Sequence, residues 1–405
     1  MTGSGRIVTL DILRGVAVMG ILAINIVAFA LPLDAYLNPR AFGLESDADL
    51  LSWAASFVLI EGKMRGLFSL LFGASMLLVI ERAEAAGEPS DKVHFRRMGW
   101  LLLFGLLHYY FIWHGDILTL YAVVGIVAWF LHGSSPRALV RVAIALILLQ
   151  FLLFALLALP ATGLLAGPQT PPMPGQASAG SAIASRVAEA VALYRGSYGG
   201  IVHHHFTDGL YGPLDSILLN GAETLGYMLL GMAALKTGFI TGSWSLRRYR
   251  QIAAAGFAMG IPLGSLLALG LVREQFSNPA IISLNLAATT LLRPIMIFAT
   301  IALIILATRR GGALTDRIAA AGRAAFTNYL GTSILMTALF YGYGLGLFGK
   351  LSRAELWLVV VPAWMLMLLW SKPWLERYRY GPFEWLWRSL ARGRPQPMRK
   401  NGVTG

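Results

Sequence analysis

The side chains that could do chemistry here are the ionisable ones buried in apolar runs, because such groups are expensive in a low-dielectric medium and mark function by default. In this 405-residue chain they are Glu61, Lys63, Arg65, His108, Glu223 and Arg293, with Asp116 at the edge of a run and Asn25 inside one. His108 is the natural general base, since a histidine titrates near neutrality, and Asp116 could orient it. The bland alternatives are an interhelical hydrogen bond for His108 and an N-cap for Asp116. Asn25 is a hydrogen-bond donor where lipid-facing helices carry none, and Glu61 adds a mid-depth carboxylate to the catalytic candidates. Arg14, Lys63, Arg65 and Arg293 suit phosphate groups, although Arg14 also lies three residues from Asp11 and can pair with it. The chain has no cysteine, so it has no thiolate nucleophile and no disulfide framework. His203, His204 and His205 stand near Asp208, but consecutive residues converge poorly on one ion; no metal is expected, and the segment reads as polar and interfacial.

The elements that must position these groups are membrane helices. The composition is 57% hydrophobic and 13% charged, half the charge of an ordinary soluble protein. At roughly 20 apolar residues per crossing, ten stretches qualify, near 12–32, 52–81, 97–113, 117–132, 138–160, 213–239, 250–271, 280–308, 322–346 and 354–373. The second and eighth are long enough to tilt or break, and the third and fourth form a tight hairpin about His114-Gly115-Asp116. His114 is expected at the outer surface. The net charge of +13 sits mostly on alternate connections and on a basic tail at 374–405, which places both termini in the cytoplasm and argues against nucleic acid as a partner. The fold class is therefore an all-α polytopic membrane protein of about ten helices, N-in and C-in, forming one domain. Its longest outer connection, 161–212, holds a flexible Pro/Gly/Ser-rich piece. An amphipathic helix follows, carrying Ile183, Val187, Ala190, Val191 and Tyr194 between spans five and six.

Helical geometry then predicts neighbours. At about 100° per residue Arg14 and Asn25 lie about 20° apart, with Asp11 on the same stripe, so one face of span one runs from a charge pair at the cytoplasmic rim to an amide deep inside. Glu61, Arg65 and Ser69, four residues apart, predict an intrahelical ion pair, with Gly62 and Gly66 loosening the helix beside it. The buried acidic and basic residues balance, which predicts mutual pairing. Asn25, His108, Glu61 and Arg65 are expected around one cavity.

The stretches LDILRGVAVMGILAIN, EGKMRGLFSLLFG, LLFGLLHYYFIWHGDILTLYA, YRGSY, LGYMLLGMAALKTG, GRAAFTNYLGTSI, FYGYGLGLFGKLS and GPFEWLWRSL occur in this order along the chain. On them the sequence resembles the YeiB-like bacterial membrane proteins, which carry the domain of unknown function numbered 418. A narrower part is similar to membrane acyltransferases, the acyltransferase 3 group and the heparan-glucosaminide N-acetyltransferases. It is an Asp-x-x-Arg-Gly opening with an asparagine fourteen residues after the aspartate, met here by Asp11, Arg14, Gly15 and Asn25. In the lysosomal type that asparagine acts beside a histidine in the following lumenal segment; residues 26–50 hold no histidine, and His108 is the nearest substitute.

The resemblance implies acyl transfer from cytoplasmic acyl-CoA, as co-substrate, to a hydroxyl or amine on a small-molecule, lipid or glycan acceptor at the outer face of the bacterial inner membrane. The residue pattern keeps two alternatives open. One is a transporter built on the mid-membrane charges, and the other is a non-catalytic assembly protein. Expected partners are membrane lipids, the acceptor and, as one alternative, a second copy in a homodimer.

Overall fold

The computed structural model describes residues 7–159 and 179–400, so the expectation for the Pro/Gly/Ser-rich piece at 161–178 lies outside the described residues. A chain in lipid must satisfy its own backbone polar groups, and the described residues do so with helices. No strand forms among them, and one isolated bridge links Tyr378 to Arg399. Helix α1, Val8–Ala30, is followed by a short turn of helix, α2, Asp34–Leu37. The next pair, α3 (Asp47–Leu59) and α4 (Lys63–Ala85), is one long apolar run broken in the middle. A hairpin of α5 (Ser90–Phe111) and α6 (Leu118–Trp129) precedes α7 (Pro136–Ala158). Two surface helices, α8 (Ala179–Tyr194) and α9 (Tyr198–Phe206), lead to α10 (Gly212–Lys236) and α11 (Leu246–Arg273). The short α12 (Asn278–Ala280) runs through a π-helical stretch, Ile281–Ala288, into α13 (Thr289–Thr308). The chain closes with α14 (Ala313–Arg323), α15 (Ala325–Phe340), α16 (Trp357–Arg377) and α17 (Pro382–Arg392).

Seven of the described helical runs are long and apolar enough to cross a membrane, so this is a multi-pass membrane-type helical fold. The other three expected crossings fall on α5, α6 and α15. The first turns of α5 carry Asp91, Lys92, Arg96 and Arg97, and the other two are 12 and 16 residues long. The stretch expected at 322–346 as one span is cut at Ala324, whose φ of −102° and ψ of 28° separate α14 from α15. Glu384 of α17 supports the cut by accepting hydrogen bonds from the backbone N–H groups of Phe326 (2.7 Å) and Thr327 (3.1 Å), capping α15 from outside.

The core surrounds α1, which packs on α4, α14, α15 and α16, while α10 packs on α4, α6 and α7. Two of these crossings depend on glycine. A Cβ on Gly322 of α14 would lie 1.8 Å from the Asp11 carbonyl oxygen, and one on Gly15 would lie 2.1 Å from the Ile318 carbonyl oxygen. At the second crossing a Cβ on Gly231 would lie 1.8 Å from the Leu70 carbonyl oxygen, and one on Gly73 would lie 2.1 Å from the Met228 carbonyl oxygen. Small residues at such contacts let helix backbones approach where no hydrophobic difference between lipid and protein drives association.

Candidate functional site

The α5–α6 hairpin brings His108 and Asp116 together. The His108 Nδ1 and an Asp116 carboxylate oxygen are 3.0 Å apart, and both side chains are buried. The other Asp116 oxygen accepts the Thr119 backbone N–H at 2.8 Å in the first turn of α6. The carboxylate thus caps a helix and holds an imidazole at once. A carboxylate can only accept, so the Nδ1 carries a proton; in the neutral ring the Nε2 then keeps its lone pair. That Nε2 is buried and has no hydrogen-bond partner. Trp113 and Tyr329 flank the ring, with centroids at 6.2 and 5.3 Å.

Trp113 and Tyr329 also line a cavity of about 240 Å³, and Asn25 of α1 lines it too, with Thr332 and Ser333 of α15. Asn25 and the His108 neighbours therefore share one wall. Glu61 does not. It lines a separate cavity of about 420 Å³ on another face of α1, where Ile24 and Val27 are exposed to it. Asn25, His108, Glu61 and Arg65 do not surround one cavity as expected: Asn25 and Glu61 line different ones, since Asn25 and Ile24 face about 100° apart on the helix, and neither His108 nor Arg65 lines either of the two.

The expected Glu61–Arg65 pair does not form. The i,i+4 argument assumes a continuous helix, and the chain leaves it at Ile60–Gly62, with Gly62 left-handed at φ 69°. Arg65 instead reaches Glu223 of α10 at 2.5 Å. Arg293 of α13 grips the same carboxylate through one terminal nitrogen, at 3.0 and 3.2 Å, and the Tyr227 hydroxyl donates to it at 3.0 Å. Lys63, the remaining cation, donates to the Phe57 carbonyl at 2.5 Å. Gly62 is required here on a second count, since a Cβ would lie 2.3 Å from the Arg293 Nε. The broken run α3–α4 and the π-helical entry to α13 thus meet at one buried ion cluster.

The phosphate-binding expectation divides in the same way. Arg14 pairs with Asp11 at 3.1 Å and donates to Ser75 of α4 at 2.5 Å. Ser75 is ten residues beyond Arg65 on that helix, about 15 Å along its axis. Arg14 therefore stands apart from Lys63, Arg65 and Arg293, and the four do not compose one site. His114 is half-buried rather than on the surface, with its Nδ1 3.0 Å from the Tyr194 hydroxyl. Of the histidine triplet, His205 is buried against the Tyr110 carbonyl at 3.2 Å while the exposed His204 meets Asp208 at 2.9 Å. Among the described residues no three metal-ligating side chains converge.

Sequence reasoning passed over Arg353 and Tyr36, which line the cavity that holds Glu61. Both stand in connections outside the apolar runs, so burial gave no sequence signal. Glu384 was missed too. It looks like a solvent-facing position of an amphipathic helix, yet burial raises its pKa while the Thr327 hydroxyl and the backbone N–H groups it accepts from hold against that.

The family model described as "Protein of unknown function (DUF418)" matches residues 234–394. The chain is 33% identical over 399 residues to "Uncharacterized protein YeiB" of Escherichia coli (strain K12), covering 95% of this chain and 96% of that protein. It is 32% identical over 412 residues to "Uncharacterized protein YxaH" of Bacillus subtilis (strain 168), covering 98% of this chain and 96% of that protein. A protein from the amylase 3' region of Bacillus acidopullulyticus is 25% identical over 396 residues, 97% of this chain and 96% of its own length. Similarity of this extent, together with the multi-pass helical fold, makes the chain a member of the YeiB-like, DUF418 family of membrane proteins.

Proposed function

We propose that the protein is a membrane acyltransferase in which His108, oriented by Asp116, is the general base. The observation that carries this reading is the buried His108–Asp116 pair with its Nε2 unpartnered. An Nε2 lone pair held in place removes the proton from an acceptor hydroxyl or amine as it attacks the thioester carbonyl of acyl-CoA. The carbonyl oxygen becomes an oxyanion, which the Asn25 amide stabilises by donation, and CoA leaves as the thiol after the histidine returns the proton. The spacing of Asp11, Arg14, Gly15 and Asn25, similar to that of the membrane acyltransferases, supports the same assignment. The cavity beside Asn25 is small, and in this reading it takes the acceptor's reacting group rather than a whole acyl-CoA. In this reading the chain crosses the bacterial inner membrane ten times with both ends in the cytoplasm. Acyl-CoA approaches from the side of Asp11 and Arg14, and the acceptor, lipid, glycan or small molecule, approaches from the outside.

The broken α3–α4 run and the π-helical segment about Glu223 favour a second reading, a transporter, because discontinuous helices around buried charge are how many carriers hold substrate at mid-depth. One experiment separates the two. Purified protein in proteoliposomes is given acyl-CoA outside while free CoA is measured, and vesicles carrying a proton gradient are assayed in parallel for swelling or uptake of small solutes. Release of CoA above empty vesicles supports the enzyme. Gradient-coupled uptake with no CoA release overturns it in favour of the carrier.

A further inference from the structure

The cavity that holds Glu61 lies on a different face of α1 from the one that holds Asn25. Arg353 lines it, is 6% exposed, and has a buried Nε with no hydrogen-bond partner. Glu61 lines it as well, and among the described residues its carboxylate takes no hydrogen bond and forms no ion pair. Two opposite charges in one cavity would close on each other if they were free to move. They are not free. Arg353 donates through a terminal nitrogen to the Ala35 carbonyl, and the next residue's N–H is tied to Asp49 at 2.9 Å. Glu61 is fixed by the chain break, its backbone N–H donating to the Ser56 carbonyl at 2.8 Å. The cations on its protein side make other contacts, Arg293 through a terminal nitrogen to Glu223 and Lys63 to the Phe57 carbonyl.

We propose that this cavity binds a small zwitterion, with its anionic group on Arg353 and its ammonium on Glu61. A single ion would leave the opposite protein charge unpaired in a poorly solvated place, which is the costly arrangement, whereas a molecule bearing both charges satisfies both at once. The remaining walls suit it. Trp53 and Trp357 line it too, and aromatic rings attract an ammonium, while Tyr36 and Ser56 bring hydroxyl-bearing side chains to the same walls. Two sources share this chemistry, the phosphoethanolamine headgroup of a membrane lipid and a free amino-acid-like zwitterion.

The test is binding to the full chain in detergent, followed by native mass spectrometry and ligand-dependent thermal shift. The probes are dihexanoyl-phosphatidylethanolamine, dihexanoyl-phosphatidylglycerol, phosphoethanolamine, γ-aminobutyrate and ethanolamine. Saturable binding of a zwitterionic probe, with phosphatidylglycerol and ethanolamine at least about ten-fold weaker, is the expected result. Binding of the lipid alone identifies a headgroup site, and equal binding of a free zwitterion identifies a soluble ligand. Glu61→Gln and Arg353→Gln should each weaken binding by about ten-fold or more. Because Arg353 also holds the Ala35 carbonyl, Ser56→Met is the second variant, which fills the cavity without touching either charge and should abolish binding. The proposal is overturned if none of the zwitterions binds, if phosphatidylglycerol binds as well as phosphatidylethanolamine, or if Glu61→Gln and Ser56→Met bind like the wild type.

Discussion

Glu223 is the residue whose loss the fold should feel most. Its carboxylate neutralises two guanidinium groups and is 1% exposed, so Glu223→Gln leaves Arg65 and Arg293 facing each other with no anion between them. Breaking a buried pair from one side costs roughly 3–5 kcal/mol, and the melting temperature in detergent should fall accordingly. Glu61→Gln removes no ion pair and should melt within a few degrees of the wild type; a larger fall for Glu61→Gln than for Glu223→Gln would contradict this assignment of partners. The charges inside the apolar runs were legible in the sequence, but their expected mutual pairing holds only in part: Arg65 and Arg293 share Glu223, whereas Lys63 meets a backbone carbonyl and Glu61 forms no ion pair among the described residues. Which groups pair was not legible, because Arg65 and Glu223 stand 158 residues apart and only the α4–α10 crossing brings them together. At His108 the two readings of Asp116, cap and orienting group, turn out to describe the same carboxylate, one oxygen for each.

Among elements, the stretches that carry the family resemblance turn out to be each other's contacts. Gly15 of LDILRG lies against the turn holding Ile318, and Gly322 of GRAAFTN lies against Asp11. Glu384 of GPFEW caps the helix that begins AFTN. The Tyr194 carbonyl of YRGSY accepts the N–H of Gly342 in FYGYG at 2.8 Å, while Arg195 donates to the Phe348 carbonyl at 2.8 Å. Much of that resemblance therefore reports how the helices cross. The prediction that belongs here is Gly322→Ala, which drives a Cβ into a backbone carbonyl and should destabilise by about 1–3 kcal/mol, read as a loss of thermal stability and of folded yield. Gly99→Ala is the matched control, because nothing lies within 4 Å of its added Cβ; in a helix interior it should be neutral or stabilising by up to about 1 kcal/mol. Glu384→Ala should lose the outside cap of α15, at about 0.5–2 kcal/mol. Long apolar runs made the helices legible, and the glycines in EGKMRG pointed to the break in the second. The cut at Ala324 was hidden, since it falls at an Ala-Ala step with no proline to mark it and is stabilised by a side chain 57 residues away.

For the whole molecule, the account requires His108 to work toward the outer side and Asp11 with Arg14 to stand at the inner rim. A cysteine-free chain makes this easy to map. In intact cells an impermeant thiol reagent should label Ser185→Cys on α8 and leave Glu88→Cys, between α4 and α5, untouched; the reverse pattern would invert the topology and separate His108 from the proposed acceptor side. The measurement that tests the central claim most directly is the rate of CoA release from acyl-CoA by the purified protein in lipid nanodiscs, compared among the wild type, His108→Ala, Asp116→Asn and Asn25→Ala at matched folded fraction. The account predicts release by the wild type well above empty nanodiscs, a loss of about 10²–10⁴-fold in His108→Ala and of about 10²-fold in Asn25→Ala, with Asp116→Asn reduced because the imidazole loses its orienting carboxylate. Release by His108→Ala at the wild-type rate, or no release by a folded wild type across short and long acyl chains, would contradict it.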